Sequence, residues 1–380
     1  MRHILTGARL FDGEAFLDDQ ALVIAEDRIE AILPAAEAGP PTHRTSGIIA
    51  PAFLDLQVNG GGGVMVDGAT DLAALRHICA THRRLGCAGI LPTLITDTTQ
   101  ATAQVIAAGI EATRAGVPGF LGLHLEGPHL DPRRKGAHDP TLIRPMNEDD
   151  LSRLCEAARV LPVLMLTLAP ENATPQQIAA LAGAGALVSL GHSDCDFETA
   201  QAAFNAGASC ATHLFNAMSQ LGHRTPGLVG AVLTGKARAG LIADGIHVHP
   251  AAMRAALAAR AEGIFMVTDC MGFAGTDQTE MILHNRTVLR RDGRLTLPDG
   301  TLAGADLRMD RAIATLVGQV GIAPARALSM ATLEPARTAG LEDHLGRLSP
   351  GRSADLILLD ESLALKAVWQ NGGWQPPLPG

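Results

Sequence analysis

Leu187-Val188-Ser189-Leu190-Gly191-His192 is a short apolar run that stops on a side chain able to bind a metal or hold a proton. The pattern repeats. Similar runs occupy residues 49–58, 90–93, 119–126, 161–168, 208–213, 238–244 and 264–269, and Ala-rich stretches of helical composition lie between them. Eight strands alternating with helices over residues 51–345 predict an α/β fold, a (β/α)8 TIM-type barrel somewhat longer than the usual ~250 residues. A doubly wound sheet is the alternative, but no strand leads into a Gly-x-Gly-x-x-Gly turn. Gly60-Gly61-Gly62-Gly63 lacks the Lys-Ser/Thr of a phosphate-binding loop and reads as a flexible loop after the first strand.

Outside that stretch the pattern changes. Residues 4–6, 10–11, 21–24, 29–32 and 47–49 read as short strands separated by turn signals, and residues 346–360 and 367–369 repeat the pattern at the other end. The two ends, 1–50 and 346–380, are therefore expected to pair into one small β-sandwich domain flanking the barrel.

Composition limits the function. The chain has 380 residues, 47% hydrophobic and 18% charged, which excludes disorder and allows a large core. A net charge of -9 argues against nucleic acid as a partner, and 3% aromatic residues with no Tyr argue against base-stacking platforms. No apolar stretch reaches the length of a membrane span, and the first residues lack the apolar run of a secretory signal. A cytoplasmic location is expected. The six cysteines form no Cys-x-x-Cys pair and read as reduced, mostly buried thiols.

In a parallel barrel the active site lies at the carboxyl ends of the strands, so the residue ending each apolar run is the one to inspect. Four such ends carry Glu126, His192, His213 and Asp269. One carboxylate and two imidazoles (Glu126, His192, His213) suit a single Zn2+-like ion with a position left for water, and Asp269 is the further carboxylate that would serve as base. A lone His after an apolar run is more often a structural hydrogen-bonder; four strand ends agreeing shifts the balance. His124 shares a strand face with Glu126 and is read as packing or supporting the site rather than ligating. His247 and His249 fall in the loop after 238–244, where substrate contact is expected rather than metal ligation.

These motifs carry a resemblance. Residues 51–60 (PAFLDLQVNG), 124–140 (HLEGPHLDPRRKGAHDP), 191–193 (GHS), 212–218 (THLFNAM) and 243–247 (ADGIH) resemble the N-acetylglucosamine-6-phosphate deacetylase family of the amidohydrolase superfamily, and the similarity runs through residues 300–304, 331–336 and 351–356. The resemblance implies hydrolysis of the acetamide of N-acetyl-D-glucosamine 6-phosphate to D-glucosamine 6-phosphate and acetate, in amino-sugar catabolism or cell-wall recycling. It places His138 at the oxyanion, and it places Arg224, His247, Asn216 and Ala217 on the sugar phosphate, with Arg224 reaching the site of a neighbouring subunit in a homodimer. On residues alone, Arg224 would be an ordinary exposed loop charge. Most amidohydrolases hold a second metal on His-x-His at the end of strand one; here Gln57 and Asn59 stand there, and neutral amides are poor Zn2+ ligands. One divalent ion per subunit is therefore expected, with Zn2+ foremost and Fe2+, Co2+ or Mn2+ compatible with the same ligands. The alternatives are an amidohydrolase acting on another N-acyl substrate, such as N-acetylgalactosamine 6-phosphate, or a non-catalytic sugar-phosphate-binding barrel.

Overall fold

The computed structural model describes residues 1–283 and 286–378. Its largest sheet has eight parallel strands in chain order: β1 (Phe53–Val58), β2 (Cys87–Ile95), β3 (Leu123–Glu126), β4 (Leu164–Leu168), β5 (Leu187–Leu190), β6 (Cys210–Ala211), β7 (Arg238–Leu241) and β8 (Ile264–Met266). The seam between β8 and β1 closes differently from the rest. A parallel bridge joins Val58 to Cys270, and the Asp269 N–H donates to the Gln57 carbonyl at 3.0 Å. Helices α1 (Leu72–Arg84), α2 (Thr99–Arg114), α3 (Glu148–Val160), α4 (Pro175–Gly183), α5 (Phe197–Asn205), α6 (Gly227–Thr234), α7 (Pro250–Ala259) and α8 (Met309–Thr315) alternate with the strands. The first five start on side chains that satisfy an otherwise unpaired backbone N–H: Asp71, Thr98, Asn147, Thr174 and Asp196.

The termini build a two-sheet sandwich. One sheet contains Arg2–Thr6, Gln20–Ala25, Arg28–Pro34 and His43–Arg44; the other combines Arg9–Phe11, Phe16–Leu17 and Ile48–Pro51 with the C-terminal Leu356–Leu359, Leu365–Gln370 and Gly373–Gln375. Leu5, Leu22 and Ile24 of the first pack with Leu10, Ile49, Leu356 and Trp369 of the second. This apolar layer holds the two ends of the chain together.

Three expectations need correction. The run 49–58 is two strands, because the chain changes sheets at Ala52, whose N–H bonds to the Asp355 carbonyl while Phe53 bonds to Gly86. The four-glycine run is a packed hairpin, not a loose loop: Gly60–Gly61 pairs with Val64–Met65, and His82 and His77 donate to the carbonyls of Gly60 and Gly62, both at 2.9 Å. A Cβ at Gly60 would lie 2.3 Å from the Val64 carbonyl oxygen, so close backbone approach explains this glycine. Finally, an antiparallel sheet is inserted between β8 and α8, formed by Glu280–Leu283, Arg286–Arg291, Arg294–Thr296 and Leu302–Ala305. The sequence reading gave this stretch no sheet. It has its own apolar core of Phe273, Val288 and Leu295, and it places Leu283, Leu302 and Ala303 against the mouth of the barrel.

All six cysteines are buried free thiols, and no described helix is long and apolar enough to cross a membrane.

Candidate active site

Strand direction delivers the first residue of the site. Glu126 is the last residue of β3, whereas His192 and His213 lie two residues beyond β5 and β6, and Asp269 lies three beyond β8. These last three adopt left-handed backbone, with φ of 47°, 31° and 51°. For a residue with a side chain that conformation costs about 1–3 kcal/mol, tolerated where the surroundings impose it. Gly136 makes room for one of them: a Cβ there would stand 3.3 Å from the His192 ring.

Glu126, His192 and His213 converge on one point. Glu126 Oε1 lies 3.1 Å from His192 Nε2 and 3.0 Å from His213 Nε2, and the two ring nitrogens are 3.1 Å apart. Backbone chemistry fixes the orientation of His192. Its Nδ1 sits 2.8 Å from the Arg134 carbonyl, which only accepts, so Nδ1 carries hydrogen and the neutral ring keeps its lone pair on Nε2. A lone pair of His192 then faces a carboxylate oxygen of Glu126. One proton on His213 Nε2 cannot relieve that contact, whereas a cation satisfies all three donors together, so the residues fit a metal ion. These are the three residues whose ligand atoms cluster within 4.8 Å among the described residues.

The remaining polar groups support this trio. Gln57 Nε2 donates to Glu126 Oε2 at 3.2 Å, and Asn59 Nδ2 donates to Asp269 Oδ1 at 2.7 Å. Burial first, then the negative charge of Glu126, pushes Asp269 up to about 6. For Glu126, burial opposes ionisation, but hydrogen bonds and charge from His192 and His213 outweigh it and hold the carboxyl well below the usual range. The Thr96 N–H points at His138 Nδ1 (3.2 Å), so that nitrogen accepts and the neutral ring carries its proton on Nε2.

His124 stays out of the cluster. Its Nδ1 donates to the Leu56 carbonyl at 3.1 Å and its Nε2 accepts from the Thr167 hydroxyl at 2.7 Å. Since Thr167 spends its proton there, Thr212 must donate to Thr167 and Ser189 to Thr212, giving a one-way chain of buried hydroxyls beneath the site. Burial pushes His124 down to about 4, which keeps it neutral.

A cavity of ≈ 190 Å³ joins these residues. Its polar lining includes Asn59, Glu126, His138, His192, His213, Asn216, His247 and Asp269, with Ala217 beside them. Met65, Ile95, Ile242, Met271, Leu283 and Leu302 form apolar walls that the sequence reading missed. His247 donates through Nδ1 to Asp244 Oδ2 at 2.6 Å, and the backbone N–H groups of Ile246 and His247 bind Asp244 Oδ1 at 2.8 Å. Burial opposes the charge on Asp244, yet the His247 bond and these amides leave it below the ordinary carboxylate range. His249 instead accepts from the Ala251 N–H at the start of α7. Arg224 is exposed and does not line the cavity of its own chain.

The chain is similar to known proteins along nearly its whole length. Residues 48–375 match the model of the Amidohydrolase family, and residues 3–44 match that of the NagA composite domain. The chain is 40% identical to an N-acetylgalactosamine-6-phosphate deacetylase of Shewanella sp. over 88% of this chain and 85% of that one. It is 34% identical to the N-acetylglucosamine-6-phosphate deacetylase of Haemophilus influenzae, covering 99% and 100% of the two chains. The crystal structure of N-acetylglucosamine-6-phosphate deacetylase from Pasteurella multocida superposes with a TM-score of 0.94 at 33% identity, over 99% of this chain and all of that one (100%). With its family match extending from the last strand of the sandwich's N-terminal half to the C-terminal sheet, this chain belongs to the amidohydrolase family.

Proposed function

We propose that the protein is a metal-dependent deacetylase that hydrolyses the acetamide of N-acetyl-D-glucosamine 6-phosphate to D-glucosamine 6-phosphate and acetate. The observation that carries this reading is the Glu126–His192–His213 cluster with Asp269 facing the same cavity. A divalent ion on that cluster, with Zn2+ foremost, supplies Lewis acidity and lowers the pKa of water. Asp269 takes the proton of the attacking water on Oδ2, since Oδ1 is engaged by Asn59, and returns it to the departing sugar nitrogen. His138, protonated on Nε2, donates to the oxyanion that develops on the acetyl oxygen. Gln57 and Asn59 occupy a vacated second metal site, where their amide N–H groups serve the two carboxylates in place of a cation.

The phosphate end of the substrate is assigned to His247, with Asn216 and Ala217 contacting the sugar. Asp244 anchors His247 Nδ1 at 2.6 Å and so fixes the ring that lines the cavity. Arg224, exposed in its own chain, completes the phosphate site of a neighbouring subunit in a homodimer. A cytoplasmic location belongs to the same proposal, supported by six unpaired thiols.

The test is acetate release from N-acetyl-D-glucosamine 6-phosphate by metal-replete protein, with elemental analysis of the same sample. Acetate and about one tightly held ion per chain are expected; no acetate removes the assignment, and two tight ions remove the vacated site. A second reading, the galacto epimer as preferred substrate, is favoured by the 40% identity to a relative of that name. Relative kcat/KM on the two epimers decides between them.

A phosphate test follows from Arg224. Arg224→Ala should raise KM for the sugar phosphate by about 10-fold or more, as loss of a charge-assisted contact does, with a smaller change in kcat. Mixed dimers of Arg224→Ala and Asp269→Asn should recover part of the activity. No recovery in verified heterodimers would assign Arg224 to its own subunit.

A further inference from the structure

Below the reacting groups lies a carboxylate with no place in the chemistry. Asp55 is fully buried inside β1, two residues before Gln57 and four before Asn59. Its Oδ1 accepts the N–H of Gln57 and the N–H of Thr268, both at 3.2 Å, and its Oδ2 accepts the Thr268 hydroxyl. Burial pushes its pKa up to about 7, so keeping a carboxyl here is costly where an apolar side chain would pack freely. What the carboxyl gains is a connection across the β8/β1 seam. Every other neighbouring strand pair of the barrel is held by a ladder, while this one has a single bridge.

Both partners of Asp55 sit one step from the reacting groups. Thr268 immediately precedes Asp269. Gln57 donates to Glu126, and its carbonyl accepts the Asp269 N–H at 3.0 Å. We propose that Asp55 is a positioning residue: its carboxylate ties the Thr268-Asp269 turn to the Gln57 segment and thereby sets where the Asp269 carboxylate stands relative to Glu126. The consequence for rate rests on the deacetylase reading; the tether itself does not.

Three variants test it: Asp55→Asn, which places an N–H2 group among three donors, Thr268→Val, which removes the hydroxyl and keeps the shape, and Thr268→Ser, which keeps the hydroxyl. With the metal retained, Asp55→Asn and Thr268→Val should lower kcat by about 10-fold to 10²-fold with KM changed less than about 3-fold, and Thr268→Ser should stay within about 3-fold of the parent. Should Asp55→Asn fail to fold, the Thr268 pair decides. Equal kcat in Thr268→Val and the parent overturns the proposal, as does a Thr268→Ser variant as impaired as Thr268→Val. The visible spectrum of Co2+-loaded protein provides a readout that needs no substrate. Its bands should shift in Thr268→Val and not in Thr268→Ser; identical spectra in both, in a parent that releases no acetate, would overturn the tether separately from the activity.

Discussion

Asp269→Asn is expected to lower kcat for acetate release by at least about 10²-fold, the loss typical of removing a general acid–base group, while metal content and affinity for the sugar phosphate stay near parental. The amide keeps the size of the side chain and one acceptor oxygen but holds no transferable proton at neutral pH. The Asn59 contact dictates the fit: Asn59 Nδ2 donates to Oδ1, so the Asn oxygen takes that position and the new N–H2 group replaces Oδ2. Asp269 is also tuned for the work. Burial and the charge of Glu126 bring it to about 6, nearer to neutral pH than an ordinary Asp at 3.8, which makes it a stronger base while it remains largely ionised at pH 7. A variant that loses its metal or unfolds would make Asp269 a ligand or a structural carboxylate. One that keeps near-parental turnover would remove it from the reaction. Metal content, substrate affinity and acetate release measured on one preparation distinguish these outcomes.

The residues of the candidate site were readable in the sequence because the barrel's geometry places them at the ends of apolar runs. Glu126, His192, His213 and Asp269 each follow such a run, and the structure gathers them into one cavity. What holds them was not readable. The lone pair of His192 is set by a backbone carbonyl, that of Arg134, and no side-chain pattern announces a carbonyl. Asp55 lies within an apolar run and Thr268 inside another, so their contact exists only where β8 meets β1, 213 residues apart in the chain. The inserted sheet escaped for a different reason. Its strands are short, rich in Arg and mostly half-buried, and only a few positions such as Val288 and Leu295 enter its core. Periodicity that weak does not separate a strand from a charged loop.

Glu126→Gln is expected to have the other large effect, loss of tightly held metal together with activity. A single oxygen, Oε1, faces both imidazole nitrogens, at 3.1 and 3.0 Å, so this one carboxylate supplies the only negative charge in the trio. Its amide has no net charge, and whichever end faces the histidines, the ion loses an anionic ligand. The parent's affinity for metal should depend on pH in a direction fixed by His213. Burial disfavours the charged ring, but the hydrogen bond and charge of Glu126 outweigh it and raise His213 above 6.5 in the metal-free protein. The raised pKa means that the metal-free site holds a proton at pH 6.5 that must leave before Nε2 can bind an ion. Below that pKa, apparent affinity should fall by about tenfold per pH unit for one displaced proton, and above it the dependence should flatten. The same linkage makes the His213 proton stabilise the metal-free fold at low pH, a contribution lost as pH rises through the raised value. Competition titration with a chelator across pH 5.5–8 measures the slope. In Glu126→Gln the carboxylate that raises His213 is gone, so the residual weak binding should lose its pH dependence at a lower pH than in the parent. An unchanged metal affinity in this variant would show that the ion, if bound, sits elsewhere.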